Sequence, residues 1–404
     1  MIAERARQSG ETVVVRLAAR GDGVTADGRY LPGAVPGDRI VGEDVMPGPH
    51  RAAPVCEHFG RCGGCQLQHG DEEVLANFVK GRVVGALQSA GVEAEMVADP
   101  HLSPPRSRRR AAMRAEMRDG TLALGFNEES SRAVVDLQEC HVLTPDLFTL
   151  AQELRPILSA LMPKRWICGV TLTEATGGAD ILISNLSPSR EVVHAFAEWE
   201  PTIPVARVSV EDGGRTDIVL QRGKPVQTFG GVDVAMPPAT FLQATADGEA
   251  ALVAAALDFT SGAGRVADLF CGLGTFALPL SAEAEVLAAD AAGPAVAALE
   301  AAARRAKRRV RTLHRDLFRR PMTAKELAGY GAVVLDPPRA GAKAQVEALA
   351  ASKVPVVAYV SCNPSTFARD AATLVRGGYA LTEVRPIGQF RWSTHVELAA
   401  RFVR

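Results

Sequence analysis

The stretch "RVADLFCGLGTFALPL" (265–280) joins an apolar run to a glycine-rich turn and then to a second apolar run. Gly272 and Gly274 lie directly after the predicted strand and before the predicted helix. Small residues let a ligand approach the backbone, and a helix N-terminus offers unpaired N–H groups. Asp290 ends the next predicted strand, where a carboxylate suits a ribose diol. The stretch therefore predicts a nucleotide-type pocket at the end of a sheet.

Predicted strands and helices alternate from about residue 245 to the C-terminus. The predicted strands are "RVADLF", "EVLAAD", "GAVVLD", "VPVVAYVS", "YALTEVRPI" and "THVELAARFV". Continuously apolar strands separated by helices are typical of a parallel sheet that is covered on both faces. Ligands of such sheets bind outside the carboxyl ends of the strands. Asp268, Asp290, Asp336 and Cys362 all lie at or just beyond those ends, so we expect them to converge.

The chain upstream of this region has a different pattern. Residues 11–55 contain short strand-like runs separated by turn dipeptides, which is typical of a small barrel. A helix is predicted over 71–90, and hairpins are predicted around Asp119-Gly120 and around later glycine turns. The predicted fold is α/β with three domains: a small β-barrel over 1–55, an antiparallel α+β domain over 56–244, and a doubly wound, Rossmann-like domain over 245–404.

Composition narrows the class of protein. Of 404 residues, 47% are hydrophobic and 23% are charged, and no apolar run is long enough to span a bilayer, so we expect a cytoplasmic globular protein without a membrane partner. The net charge of −1 alone argues against a nucleic-acid partner. However, residues 105–118 and 303–320 concentrate arginine, which could neutralise phosphates. Each cluster alone is equally explained by a solvated surface.

Seven cysteines in a long chain without a signal sequence favour metal binding or catalysis over disulfides. Cys56, Cys62 and Cys65 lie in one loop, and Cys140 follows later. Four thiolates can hold a [4Fe–4S] cluster or a zinc ion. The tight Cys-x-x-Cys pair with two more distant cysteines favours the cluster. Zinc and four unconnected core cysteines are the alternatives.

Cys362 lies between a predicted buried strand and a predicted helix, in "YVSCNPSTFARD" (359–370). Asn363 suits the N-cap of that helix, and Pro364 suits its first turn. The positive end of the helix should lower the pKa of the thiol. A thiolate is the nucleophile that C6 of a pyrimidine requires. The alternative is a small buried residue that ends a strand.

Two carboxylates accompany this cysteine. Asp336 ends a strand in "LDPPRAG" (335–341), where two prolines stiffen the loop. Glu397 lies in "THVELAARF" on an otherwise apolar strand, so its carboxylate requires either an ionic or hydrogen-bonding partner or a catalytic role. We predict a base that removes a proton, with a buried ion pair as the alternative.

Taken together, these motifs resemble those of the RNA uracil-5-methyltransferases, in particular the iron–sulfur enzymes that make 5-methyluridine in ribosomal RNA. The resemblance covers nearly the whole chain, and "SCNP" with "DPPR" is its most specific part. It implies that residues 11–55 form a TRAM domain, an RNA-binding barrel, and that the four cysteines named above bind a [4Fe–4S] cluster. The positions that match the S-adenosylmethionine (SAM) pocket of the family are Gln243, Asp268, Phe270, Gly272, Gly274, Thr275, Asp290, Asp316 and Asp336.

The resemblance also implies a mechanism. Cys362 adds to C6 of a flipped uridine, C5 takes the methyl group of SAM, and Glu397 removes the C5 proton. The implied partner is RNA, with 23S ribosomal RNA favoured over uridine 54 of transfer RNA, and the implied state is a monomer. The departures from the family pattern are "GQFRW" (388–392) in place of Asp-x-Phe-Pro, Thr275 in place of Asn, and "EAAARRA" (300–306) in place of Asn-Ala-x-x-Asn.

Four other functions compete with this interpretation. A non-catalytic RNA-binding or assembly factor would bind SAM without methyl transfer. A cluster-dependent radical enzyme would need a Cys-x3-Cys-x2-Cys loop, which differs from the spacing here. A DNA cytosine methyltransferase usually carries its nucleophile as Pro-Cys. A nicotinamide oxidoreductase would bind NAD and ignore RNA.

Overall fold

A computed structural model describes residues 11–404; residues 1–10 of the predicted barrel domain lie outside the described residues. The helices in this range are α1 (Glu72–Ser89), α2 (Pro145–Leu161), α3 (Arg190–Glu198), α4 (Ala246–Phe259), α5 (Ala277–Leu280), α6 (Gly293–Arg305), α7 (Lys343–Ala350) and α8 (Pro364–Arg376). None of these described helices is long and apolar enough to cross a membrane.

The strands form three larger sheets and one hairpin. The N-terminal sheet contains β1 (Glu11–Leu17), β2 (Gly23–Thr25), β3 (Tyr30–Leu31), β4 (Arg39–Val41) and β5 (Asp44–Met46). The central sheet contains β8 (Arg110–Arg118), β9 (Thr121–Gly125), β10 (Arg165–Thr173), β11 (Ala179–Ser184), β12 (Val205–Asp212) and β13 (Arg215–Gln221), and the hairpin is β14 (Val226–Phe229) with β15 (Val232–Ala235). The C-terminal sheet contains β6 (Met96–Val97), β7 (His101–Leu102), β16 (Arg265–Leu269), β17 (Glu285–Asp290), β18 (Val310–His314), β19 (Ala332–Leu335), β20 (Val356–Ser361), β21 (Ala380–Gly388) and β22 (Glu397–Val403).

The N-terminal sheet is an open antiparallel half-barrel with strand order β3-β2-β1-β4-β5. Val14, Ala34 and Ile40 form its small core. Within the described residues its outer strands β3 and β5 do not pair with each other. The predicted small barrel is therefore observed, among residues 11–404, as an open half-barrel.

The central sheet has the order β13-β12-β11-β10-β8-β9. Its β8–β9 and β12–β13 hairpins turn at Asp119-Gly120 and at Gly213-Gly214, where all four residues have positive φ. These predicted turns are confirmed. The antiparallel prediction is wrong for β11 and β12, which run parallel because α3 connects them as a crossover.

The C-terminal sheet has the order β18-β17-β16-β19-β20-β22-β21, and its first five strands are parallel. Strand β22 runs antiparallel to both of its neighbours, β20 and β21, and β21 pairs in parallel with β6 and β7. Successive residues of one strand enter different cores: Val266 packs on the face covered by α4 and α6, and Ala267 packs on the face covered by α1, α7 and α8. The predicted α/β architecture with helices on both faces is confirmed.

One segment joins a different sheet from the one predicted. Residues 72–102 fall within the predicted central domain, yet β6 and β7 pair with β21, and α1 packs against α8. Gly388 permits this packing, because a Cβ atom there would lie 2.7 Å from Leu102 Cδ2 and 3.2 Å from Val79 Cγ2. Two-residue strands such as β6 and β7 carry no local signal of the sheet that they will extend.

Candidate active site

The predicted site residues lie at the carboxyl ends of four parallel strands. Asp268 and Asp290 lie in β16 and β17, Asp336 follows β19, and Cys362 follows β20. Strand β16 pairs with β17 on one side and β19 on the other, so the chain order reverses beside β16. Such a switch point opens a crevice for a ligand. The structure therefore brings together the residues that the sequence placed there.

The glycine-rich turn has a backbone that few residues other than glycine adopt. Phe270, Gly272 and Gly274 have φ values of 68°, 51° and 94°. A Cβ atom on Gly274 would lie 2.5 Å from Leu299 Cδ1, so that position requires glycine. The Gly272 N–H donates to Asp290 Oδ2 at 2.9 Å, which ties the turn to the end of the neighbouring strand. Thr275 is half-buried at the end of the turn.

Asp268 supports a positively charged ligand in this crevice. Its side chain is fully buried, and neither carboxylate oxygen has a hydrogen-bond partner among the described residues. Burial raises its pKa well above the usual range, and Asp336 and Asp290 raise it further. A buried, unpaired acid needs a cation or a donor. SAM brings a sulfonium and an ammonium group, so the residues present fit this cofactor.

Two further SAM-pocket candidates lie at the same edge of the sheet. The ring centroids of Phe270 and Phe318 are 5.4 Å apart. Asp316 Oδ1 accepts from the N–H groups of Phe318 and Arg319 at 2.9 and 3.1 Å. In this arrangement the Asp316 carboxylate fixes the local turn and thereby the position of Phe318.

The nucleophile candidate is held by two segments. Asn363 caps α8, because its Oδ1 accepts from Ser365 N at 3.1 Å. Asn363 Nδ2 and Thr366 Oγ1 both donate to the Arg339 carbonyl, at 3.0 and 3.1 Å. These bonds attach the loop at 336–341 to the first turn of α8 and hold Asp336 beside Cys362.

The predicted effect of the helix on Cys362 is wrong for the ligand-free protein. Partial burial, with Glu397 and Asp336 as neighbours, raises the pKa of the thiol to about 11, although Arg339 opposes this. The two carboxylates and the loss of water outweigh the N-terminus of α8. Cys362 is therefore a thiol at neutral pH, and its proton must leave during attack.

Glu397 begins β22 and is 4% exposed. Its Oε2 has no hydrogen-bond partner among the described residues, and no cation there pairs with its carboxylate, so the alternative of a buried ion pair is not found. Burial and then Asp336 raise its pKa to about 8. Burial and then Asp290 raise the pKa of Asp336 to about 7. Both carboxyl groups thus titrate near neutral pH, where a base is most useful.

Cys362 and Glu397 line the same cleft, which has a volume of about 610 Å³. The opposite wall carries Arg108, whose guanidinium lies 5.8 Å from the Phe126 ring centroid and 5.4 Å from that of Phe390. Stacked aromatic and guanidinium planes bind unpaired nucleic-acid bases. The sequence identified only the arginine cluster at 105–118. The aromatic rings come from separate segments and carried no signal of their own.

The four clustered cysteines lie near one another. Burial and then Cys140, Cys62 and Cys56 raise the pKa of the Cys65 thiol to about 12, so all four thiols lie within electrostatic range. Within residues 11–404, no group of three or more His, Cys, Asp or Glu side chains has an arrangement that could hold a metal ion. His58 Nε2 accepts from Gln138 N at 2.9 Å and is already occupied. The metal interpretation therefore stays a prediction.

Comparisons with known proteins decide the family. A family model described as tRNA (uracil-5-)-methyltransferase matches residues 235–403. An uncharacterized RNA methyltransferase of Zymomonas mobilis is 42% identical and covers 97% of this chain and 99% of its own length. The chain belongs to the RNA (uracil-5-)-methyltransferase family. It is therefore an enzyme that methylates RNA with SAM, which overturns the nicotinamide, radical and non-catalytic alternatives.

Two further relatives of this RNA (uracil-5-)-methyltransferase carry more specific names. The 23S rRNA (uracil(1939)-C(5))-methyltransferase RlmD of Pectobacterium atrosepticum is 31% identical, and the match covers 89% of this chain and 82% of that protein. The crystal structure of Pyrococcus abyssi tRNA (uracil-54, C5)-methyltransferase with S-adenosyl-L-homocysteine has a TM-score of 0.73 at 23% identity, covering 97% of this chain and 100% of that one. At that identity the second likeness shows the fold alone.

Proposed function

We propose that this enzyme transfers the methyl group of SAM to C5 of one uridine in 23S ribosomal RNA through a covalent bond between Cys362 Sγ and C6. The observation that carries the proposal is that Cys362 and Glu397 line one cleft, with Asp336 beside both. A nucleophile and a base on the same cleft are what replacement of a ring proton requires.

The target uridine leaves the RNA and enters the cleft, where Arg108, Phe126 and Phe390 provide stacking surfaces. The Cys362 thiol proton passes to a neighbouring carboxylate as sulfur bonds to C6. The electron pair of the C5–C6 bond then makes C5 nucleophilic, and bound SAM supplies the methyl group to C5. Glu397 takes the C5 proton, and the S–C6 bond breaks to restore the C5–C6 double bond. Because one chain supplies every one of these groups, we propose that it acts as a monomer.

The SAM side of the site is assigned to the crevice beside β16. Gly272 and Gly274 let the cofactor approach the backbone, and Asp268 and Asp290 offer carboxylates to its cationic and ribose groups. Gln243 and Asp336 lie between this crevice and the uridine cleft, because Gln243 Nε2 donates to Asp336 Oδ2 at 3.3 Å. Thr275, Phe270 and Asp316 complete the proposed cofactor site.

A basic groove supports an extended RNA contact. A cleft of about 1270 Å³ separates the N-terminal half-barrel from α1 and α8, and it is lined by Arg16, Arg20, Arg82 and Arg369. Within the described residues, no carboxylate pairs with the first three of these. Uncompensated guanidinium groups attract phosphates. We therefore assign an RNA-binding role of the TRAM type to residues 11–55.

The RNA class is tested by incubating the purified enzyme and SAM with unmodified 23S rRNA and with unmodified tRNA transcripts. We expect 5-methyluridine in digested 23S rRNA by mass spectrometry and none in tRNA, since the 31% identical relative is named for 23S rRNA. A transcript that carries cytidine at the mapped position is the control. If only tRNA is methylated, at uridine 54, the substrate is tRNA and the assignment to 23S rRNA is wrong.

We further propose that Cys56, Cys62, Cys65 and Cys140 hold a [4Fe–4S] cluster. The support is the donor set: four thiols lie in mutual electrostatic range, three of them in one loop and the fourth at Cys140. The irons of a cluster are spread over several ångströms, so its thiolates do not have to converge on one point as zinc ligands do. The methyl-transfer chemistry needs no electron from such a cluster, so we assign it a structural role.

Anaerobically purified enzyme is expected to contain iron and acid-labile sulfide in equal amounts. Cys65→Ala should lose both, because Cys65 lies within electrostatic range of the other three thiols. Cys168→Ala is the matched control, since Cys168 is buried in the central sheet, where its Sγ donates to the Asn185 carbonyl. Zinc without sulfide would favour the zinc alternative, and absence of metal under anaerobic conditions would contradict both.

A further inference from the structure

The segment "GQFRW" (388–392), which departs from the family pattern, places a buried amide between the carboxylates of the site. Gln389 is 1% exposed and follows the last residue of β21. Ile387, two residues before Gln389, pairs with Glu397 across the two strands. The amide therefore lies beside the proposed base.

Hydrogen bonds fix the orientation of this amide. The Thr245 N–H donates to Gln389 Oε1 at 3.3 Å, and since a backbone N–H can only donate, the oxygen of Gln389 is assigned. Gln389 Nε2 then donates to Gln243 Oε1 at 2.8 Å. Gln243 Nε2 in turn donates to Asp336 Oδ2 at 3.3 Å. A chain of three bonds thus runs from the backbone of Thr245 to the Asp336 carboxylate.

Gln389 also lies near Glu397, because it follows the Ile387–Glu397 strand pair by two residues. The charged or titratable neighbours of Glu397 are Asp336, after β19, and Cys362, after β20, while Arg339 and His395 line the same cleft without bonding to it. Asp336 and burial favour the protonated form of Glu397, and hydrogen bonding by Gln389 opposes them. An N–H donor favours a carboxylate over a carboxylic acid.

We propose that Gln389 is a positioning residue that orients Asp336 through Gln243 and, from its place beside Glu397, favours the ionised form of that base. The proposal rests on the proposed function, because it concerns the base of that reaction. Gln389 occupies the unspecified position of the Asp-x-Phe-Pro pattern, and its amide leads through Gln243 to one of the two carboxylates beside the nucleophile. Gln389 touches neither substrate in this role and acts through Glu397.

Two variants separate positioning from packing. Gln389→Met preserves length but removes both hydrogen bonds of the Gln389 side chain, to Thr245 and to Gln243. Gln389→Glu still accepts from Thr245 N but donates to neither Gln243 nor Glu397, and it adds a negative charge. The matched control is Gln345→Met: Gln345 is also 1% exposed, and it bonds the backbone of Met322 at 2.8 and 3.0 Å far from the cleft.

The readout is the pH profile of single-turnover methylation, together with the amount of covalent enzyme–RNA complex. For Gln389→Met we expect the apparent pKa of the rate to rise by about one unit, which lowers the rate at pH 7 about tenfold. The rate should recover at higher pH, and covalent complex should accumulate because the C5 proton leaves slowly. Gln389→Glu should shift the profile further, and Gln345→Met should leave it unchanged.

A uniform loss of rate at every pH, or a profile that matches Gln345→Met, would overturn the proposal. If Gln389→Met does not fold, Gln389→Glu provides the test, because glutamate is isosteric with glutamine. A uniform loss of rate in that variant, or a pH profile that matches Gln345→Met, would likewise overturn the proposal. A wild-type enzyme that forms neither 5-methyluridine nor a covalent complex would instead overturn the proposed function, and the assignment of Gln389 with it.

Discussion

Cys362→Ser is expected to lower methyl transfer by about 10⁴-fold or more, because hydroxyl is a far weaker nucleophile than thiolate. The direct measurement is a covalent trap. RNA with 5-fluorouridine at the target gives an adduct that cannot lose a proton from C5, so the wild-type enzyme and SAM should form a complex that survives denaturing electrophoresis. Cys362→Ser should form none.

The control for this variant is Cys168→Ser, which changes a buried cysteine of the central sheet. It should trap RNA as the wild-type enzyme does. Binding of S-adenosylhomocysteine should be retained in both variants, which shows that the cofactor crevice is intact. A covalent complex in Cys362→Ser, or wild-type methylation without any trapped complex, would contradict the assignment of the nucleophile.

Glu397→Gln is expected to reduce turnover by about 10³-fold, within the range of general base catalysis. Because the defect falls after sulfur and methyl addition, a methylated covalent complex should accumulate on ordinary uridine RNA. The wild-type rate should rise with pH through about 8, since Glu397 must be ionised to accept the proton. Glu397→Gln should lack that rise. A slow variant without accumulated complex would place Glu397 outside the proton-removal step.

The same substitution should stabilise the fold at alkaline pH. The pKa of Glu397 is about 8 in the folded chain, against 4.5 for a glutamate that is fully exposed to water. Between these pH values the folded state holds a proton that the unfolded state has released, so the free energy of unfolding falls as pH rises through this window. The Glu397→Gln variant has no carboxyl group to titrate, so its free energy of unfolding does not fall in this way. The melting temperature of the variant should exceed that of wild type at pH 8 but not at pH 4.

The sequence was sufficient to predict the C-terminal sheet and the convergence of its site residues. Continuous apolar strands and the glycine-rich turn are local signals, and strand ends meet by topology once the sheet is parallel. The N-cap of Asn363 is equally local, and the structure confirms it. Such features depend on neighbours in sequence, which is why they can be predicted from the sequence.

Features that depend on distant segments could not be predicted in this way. The pKa of Cys362 is set by Glu397 and Asp336, which reach it only through the folded sheet. Arg108 meets Phe126 and Phe390 across separate segments, and the short strands β6 and β7 gave no indication that they extend the C-terminal sheet. Burial and long-range charge therefore account for most of the differences from prediction.

The Arg339 carbonyl has a consequence for how the two substrates influence each other. It accepts from Asn363 and Thr366, and Arg369 Nη2 donates to the adjoining Ala340 carbonyl at 3.1 Å. The loop that carries Asp336 and the helix turn that carries Cys362 must consequently move as one mechanical unit. A cofactor that restricts the motion of the loop also restricts the motion of Cys362. RNA that binds second then loses less conformational entropy. Heterotropic cooperativity between cofactor and RNA would then need no change of average structure.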